Sequence, residues 1–119
     1  MTHSKNRRKI NRSNLSVRMS SSKYVAQQRR QARDIVSCLQ HKNIKLVAID
    51  FDKTLLSIHT GGHYHGTIDN LLDSIRSTFL YLIQEILDSS SFNRKLFVCI
   101  VSFSSQEQLI RKLLELAFQ

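Results

Sequence analysis

Residues 45–62 read KLVAIDFDKTLLSIHTGG, and the fold class turns on how this stretch is taken. Its first five residues, KLVAI, are a short apolar, β-rich run that stops in acid at Asp50. A continuous run without polar alternation suits a strand buried on both faces, as in a parallel sheet. A second such run, LFVCIV at 96–101, ends at Ser102. Each expected strand therefore hands over to polar side chains: Asp50, Asp52 and Thr54 after the first, Ser102 after the second. In open α/β sheets, ligands bind outside the carboxyl ends of the strands.

The segments on either side carry helical spacing. Ser22 is placed to cap a helix over about 23–41, in which Val25, Gln28, Ala32, Ile35, Val36 and Leu39 share a face. Arg29, Arg30 and Arg33 crowd its other side, and we read them as a solvated face. After the first strand comes a loop holding all three glycines, Gly61, Gly62 and Gly66. Thr67 then caps a helix over 67–88, with Asp69 favourably placed in its first turn. Ile68, Leu71, Leu72, Ile75, Phe79, Leu82, Ile83, Ile86 and Leu87 recur along it at three and four. Ser105 and Gln108 have capping-box spacing ahead of a last helix with Leu109, Ile110, Leu113, Leu116 and Ala117 on its face. Strands alternating with helices in this order imply parallel βαβ units.

Composition agrees. A length of 119 residues suits one domain, and 41% hydrophobic residues suit a globular one. With 3 Gly and no Pro, the chain is poor in the turn-formers of an all-β sandwich. The net charge of +9 is uneven: residues 1–45 hold twelve Lys or Arg against the single acid Asp34, whereas residues 46–119 are slightly acidic. Residues 1–21 have too few apolar side chains to offset ordering entropy and are expected to be a basic, disordered tail, followed by one domain over 22–119. The tail has no apolar segment of a secretory signal, and no run approaches the ~20 apolar residues of a membrane span. It is rich in Arg and Ser, as an organelle transit peptide is, and Met19 stands where a shorter product would start. Cys38 and Cys99 are expected to be reduced, mostly buried thiols of an intracellular, cytoplasmic protein.

Asp50 and Asp52 are two apart, so in extended chain their carboxylates project to one side. Two neighbouring carboxylates repel unless a cation or a shared proton intervenes. A Mg2+ ion with oxygen ligands resolves that repulsion and attracts a phosphate. A carboxylate also attacks phosphorus to give an aspartyl-phosphate.

Residues 46–62, LVAIDFDKTLLSIHTGG, resemble motif I of the haloacid-dehalogenase-like (HAD) superfamily: an apolar strand, then D-x-D-x-T-L, then a flap. Residues 96–105, LFVCIVSFSS, resemble its motif II, an apolar strand ending in Ser or Thr. The resemblance covers roughly residues 24–119. It implies a Mg2+-dependent phosphatase-type hydrolase on a partial Rossmann-like parallel sheet, acting on a phosphorylated substrate. Asp50 is then the nucleophile and a Mg2+ ligand. Asp52 protonates the leaving group and activates the hydrolytic water, while its backbone carbonyl gives a second metal ligand. Thr54 steadies the loop and belongs with Ser102 at the substrate phosphate. Phosphoryl transfer asks mainly for positioning and charge neutralisation, which suits this inventory.

The family pattern also has a Lys or Arg offsetting phosphate charge, and a later acidic motif that completes the metal shell. Both normally lie downstream of motif II, and here seventeen residues follow Ser102. Arg111 and Lys112 fall inside the following helix, the wrong context for that cation. The expectation is an apparently truncated domain, capless between motifs I and II, that hydrolyses phosphate esters poorly by itself. Capless members of the family tend to accept large, open-lying substrates. The competing expectation is an inactive HAD-like remnant that binds or regulates, with residues 1–33 contacting nucleic acid or another polyanion. His59, His63 and His65 lack a fourth ligand for zinc and are read as a polar flap.

Overall fold

Helix α1 ends as its sequence directs. The computed structural model describes residues 12–89 and 95–119, and α1 runs Arg12–His41. Asn43 follows in the left-handed conformation at φ 58°. Ile44 N–H donates to Leu39 O at 3.0 Å and Asn43 N–H to Gln40 O at 3.1 Å, the paired bonds of a Schellman stop. The helix begins ahead of the expected cap at Ser22, because RSNLSVRMSS contains neither Pro nor Gly to break it. The expected disordered tail falls, for residues 1–11, outside the described residues.

Strands β1 (Leu46–Asp50) and β2 (Phe97–Val101) form a two-stranded parallel sheet. The chain is thus mixed α/β, with both strands where the apolar runs place them. The register pairs Leu46 with Phe97, Ala48 with Cys99 and Asp50 with Val101. Between the strands lie α2 (Ile68–Asp73) and α3 (Ser77–Ser89), and α4 (Glu107–Ala117) follows β2.

Among the described residues the sheet is covered on one face, which corrects the expectation of strands buried on both. Ile49 is buried, and Val47, Val98 and Ile100 are half-buried against the helices. Their alternates Leu46, Ala48, Phe97, Cys99 and Val101 are exposed, Phe97 to 59%. Cys99 and Cys38 are exposed thiols rather than buried ones. Val47 and Val98 belong to both apolar clusters. One gathers Ile49, Phe51, Leu55, Leu56, Leu71, Ile83 and Leu113, and the other Val36, Leu82, Ile86 and Leu96. α1 packs on α3 through Ala32 and Val36, while Ile35 faces solvent. Gln28 is buried at that seam, its Nε2 donating to Tyr24 Oη at 3.0 Å and Thr78 Oγ1 at 3.4 Å.

The single helix expected over 67–88 is two. Thr67 caps α2 as expected, its hydroxyl accepting from Asn70 N–H at 3.2 Å. The chain then leaves the helix at 74–76 to pair with the loop after β1. Ser57 N–H donates to Ser74 O, Arg76 N–H donates to Leu55 O, each at 2.8 Å, and Leu56 and Ile75 form an antiparallel bridge. Ile75 keeps the apolar phase, so the periodicity runs through the break without marking it. Leu87, placed on the apolar face by the same periodicity, is 47% exposed. In α4, Leu113 is buried and Leu116 is 43% exposed. Gln106, not Ser105, is the N-cap residue, and it makes no side-chain cap bond there. The expected capping box is not formed. Among the described residues, no helix is long and apolar enough to cross a membrane.

Candidate active site at the strand ends

The D-x-D-x-T segment is shaped by the apolar residues threaded through it. Phe51, Leu55 and Leu56 are each 0% exposed, and together they pull the loop onto the core. Burying each contributes roughly 1.5–3 kcal/mol. A wide turn over Phe51–Leu55, closed by Leu56 N–H to Phe51 O at 3.0 Å, leaves Asp50, Asp52 and Thr54 outside that anchor. Lys53 crosses the turn at φ 60°, a strained value for a residue with a Cβ. Its amide donates to Ile58 O at 3.0 Å, and Arg76 donates to its carbonyl at 3.3 Å.

Because Asp50 pairs with Val101, Ser102 emerges beside it. Asp50, Asp52 and Ser102 line one open cleft of about 610 Å3, together with His59, Gly61, Gly62, Phe103 and Ser104. Asp50 Oδ2 accepts from Thr54 Oγ1 at 3.0 Å. Thr54 is not among the residues lining the cleft, and its hydroxyl donates to the Asp50 carboxylate. Ser102 Oγ accepts from Ser104 N–H at 3.1 Å, which leaves its own proton for donation into the cleft.

Asp52 is held on one oxygen. Its Oδ1 accepts from Thr60 N–H at 2.8 Å and Thr60 Oγ1 at 2.7 Å. Gln106 Nε2 donates to Thr60 Oγ1 at 2.9 Å and to Ser104 Oγ at 2.7 Å, and its Oε1 accepts from Tyr64 N–H. Thr60 and Gln106 were not among the residues read from the sequence. Their contact spans 46 positions, and no periodicity or spacing signals it. The loop that carries Thr60 is shaped by Gly61 and Gly62, at φ 70° and 76°. Gly66 admits the Tyr64 ring, which would collide with any Cβ there while its hydroxyl donates to Thr67 O at 2.8 Å.

Among the described residues, no Lys or Arg lines the cleft. Arg111 pairs with Glu107 at 2.9 Å on the exposed face of α4, and Arg76 is spent on backbone carbonyls. His59 is the one imidazole among the described residues of the cleft lining. Its Nδ1 accepts from Gly61 N–H at 2.8 Å, so in the neutral ring the proton lies on Nε2. His63 and His65 meet edge to face at 5.1 Å. Among the described residues, no three His, Cys, Asp or Glu gather as a metal-holding group. Asp50 and Asp52 are oxygen donors of the type Mg2+ takes, and Mg2+ is commonly held by one or two carboxylates plus water and substrate phosphate. The carboxylates at 50 and 52 are thus of the donor type that suits Mg2+.

No family model, curated protein or solved structure matches the chain.

Proposed function

We propose that this cleft is the nucleophile half of a HAD-like, Mg2+-dependent phosphatase site, on a partial Rossmann-like sheet. One observation carries the reading: Asp50, Asp52 and Ser102 line a single cleft at the carboxyl ends of two paired parallel strands. One Asp50 oxygen is engaged by Thr54, which leaves Oδ1 to attack phosphorus. The bond between Asp50 oxygen and phosphorus forms as the ester P–O bond breaks. Asp52 gives its proton to the departing oxygen, and Ser102 donates a hydrogen bond to a phosphoryl oxygen. Water then attacks the aspartyl-phosphate and gives a proton to Asp52, releasing phosphate and restoring Asp50. Asp50 and Asp52 are the residues that would hold Mg2+, which when bound neutralises phosphoryl charge.

The test is aryl-phosphate hydrolysis by the purified chain with Mg2+, beside Asp50→Asn. We expect slow turnover that Asp50→Asn abolishes. Turnover that Asp50→Asn leaves unchanged would overturn the reading.

A second reading is an inactive module of the same fold that binds or regulates through a polyanion. It draws on the exposed Arg29, Arg30 and Arg33 of α1, and on a cleft whose described lining holds no Lys or Arg.

A further inference from the structure

We infer that Thr60 and Gln106 are positioning residues for Asp52: Gln106 orients the Thr60 hydroxyl, and Thr60 holds Asp52 Oδ1 so that Oδ2 is the oxygen that exchanges a proton. The inference rests on the proposed acid/base part played by Asp52 and goes beyond the motif residues.

The direction of each bond follows from which groups can donate. Tyr64 N–H is a backbone donor, so the Gln106 atom facing it must be the oxygen. That fixes the amide and turns Nε2 toward Thr60 Oγ1 at 2.9 Å and Ser104 Oγ at 2.7 Å. With one lone pair of Thr60 Oγ1 taken by Gln106, its single proton goes to Asp52 Oδ1 at 2.7 Å. The Thr60 amide adds a second donor to the same oxygen at 2.8 Å. Two donors on one oxygen restrain the carboxylate against rotation, and bonds in series polarise each other. Thr60 is 7% exposed, so water does not readily replace it. The chain of bonds also ties the loop after β1 to the cap of α4, which packs on α2 and the core.

The discriminating substitution is Gln106→Glu, which keeps shape and the acceptor toward Tyr64 but cannot donate to Thr60. A packing role tolerates it, whereas a directing role does not. Amide NMR of the full chain reads the result without turnover. We expect the Thr60 amide proton to move upfield in Asp52→Asn, where an amide oxygen replaces the carboxyl oxygen, and to move likewise in Gln106→Glu, with core amides such as Leu71 and Ile83 unmoved. A Thr60 amide that ignores Gln106→Glu would overturn the inference. Should that variant unfold, Thr60→Val removes the hydroxyl alone and the amide shift is read there, with the same two outcomes.

Residual turnover supplies the second readout. A proton donor matters most for a poor leaving group. Gln106→Glu should therefore lower alkyl-phosphate hydrolysis on the order of 10-fold to 100-fold and aryl-phosphate hydrolysis much less. Equal losses on both esters would overturn the inference while leaving the proposed function standing. Insensitivity of wild-type turnover to Asp50→Asn would instead remove the proposed function.

Discussion

Both donors of Thr60, its amide and its hydroxyl, meet the same oxygen of Asp52, at 2.8 and 2.7 Å. The residue that follows a short motif at a distance of eight thus decides which oxygen of the motif's second carboxylate stays available. Thr60→Val removes one donor from Asp52 Oδ1 and strands the Gln106 amide on one side. The expected loss is about 1–3 kcal/mol of stability, read as a lower urea midpoint at unchanged slope.

The loop that carries Asp50 and Asp52 is fixed from beneath by Phe51, Leu55 and Leu56, all 0% exposed. Leu55→Ala should cost roughly 2–5 kcal/mol by leaving a cavity under the turn. Urea denaturation followed by far-ultraviolet circular dichroism checks it. A cost under ~1 kcal/mol would mean that the turn can collapse onto the space, and the anchoring argument would fail.

Asn43 closes α1 at φ 58°. Asn43→Gly should be neutral or slightly stabilising, and Asn43→Ala should destabilise by about 1 kcal/mol, since Ala meets a Cβ penalty there. The pair of thermal midpoints tests the cap. Equal midpoints would show that the left-handed residue does not govern the helix end.

Half of this arrangement could be read from residues alone, and the remainder shows what local pattern omits. KLVAI and LFVCIV do form paired parallel strands, because apolar β-branched runs ending in polar residues have few other uses. The same runs suggested two covered faces. Hydropathy records the preference of Leu46 and Phe97 for burial, not whether something lies over them, and both are more than half exposed. The break at 74–76 was hidden for a related reason. It is set by hydrogen bonds from Ser57 and Arg76 across the loop, while Ile75 stays in helical phase. Asp50, Asp52 and Ser102 could be placed together because strand ends fix them. Thr60 and Gln106 could not, since their meeting depends on two loops whose path no short pattern encodes.

The basic N-terminal region, residues 1–33, gives a separate expectation. Any polyanion affinity should fall linearly in log–log form with salt, through counterion release. Arg30→Glu and Arg33→Glu, on the exposed side of α1, should each reduce the slope by about 1. Filter binding or fluorescence anisotropy with a short DNA duplex measures it. Binding that persists unchanged at high salt would contradict a charge-driven contact.

The chain by itself should hydrolyse phosphate esters poorly, because among the described residues no Lys or Arg lines the cleft to face the phosphoryl oxygens. Losing one preorganised electrostatic group typically costs on the order of 10²–10³ in rate. Slow chemistry, however, does not prevent a nucleophile from being marked. The most direct measurement of the central claim is therefore covalent trapping at position 50. The chain is incubated with Mg2+ and a reactive acyl or aryl phosphate, treated with borohydride to reduce any acyl-phosphate, and mapped by peptide mass spectrometry. Reduction at Asp50, absent without Mg2+ and absent from Asp50→Asn, is the expected result. An unmodified Asp50 with label at another carboxylate, or no label in the presence of Mg2+, would contradict the assignment of Asp50 as nucleophile.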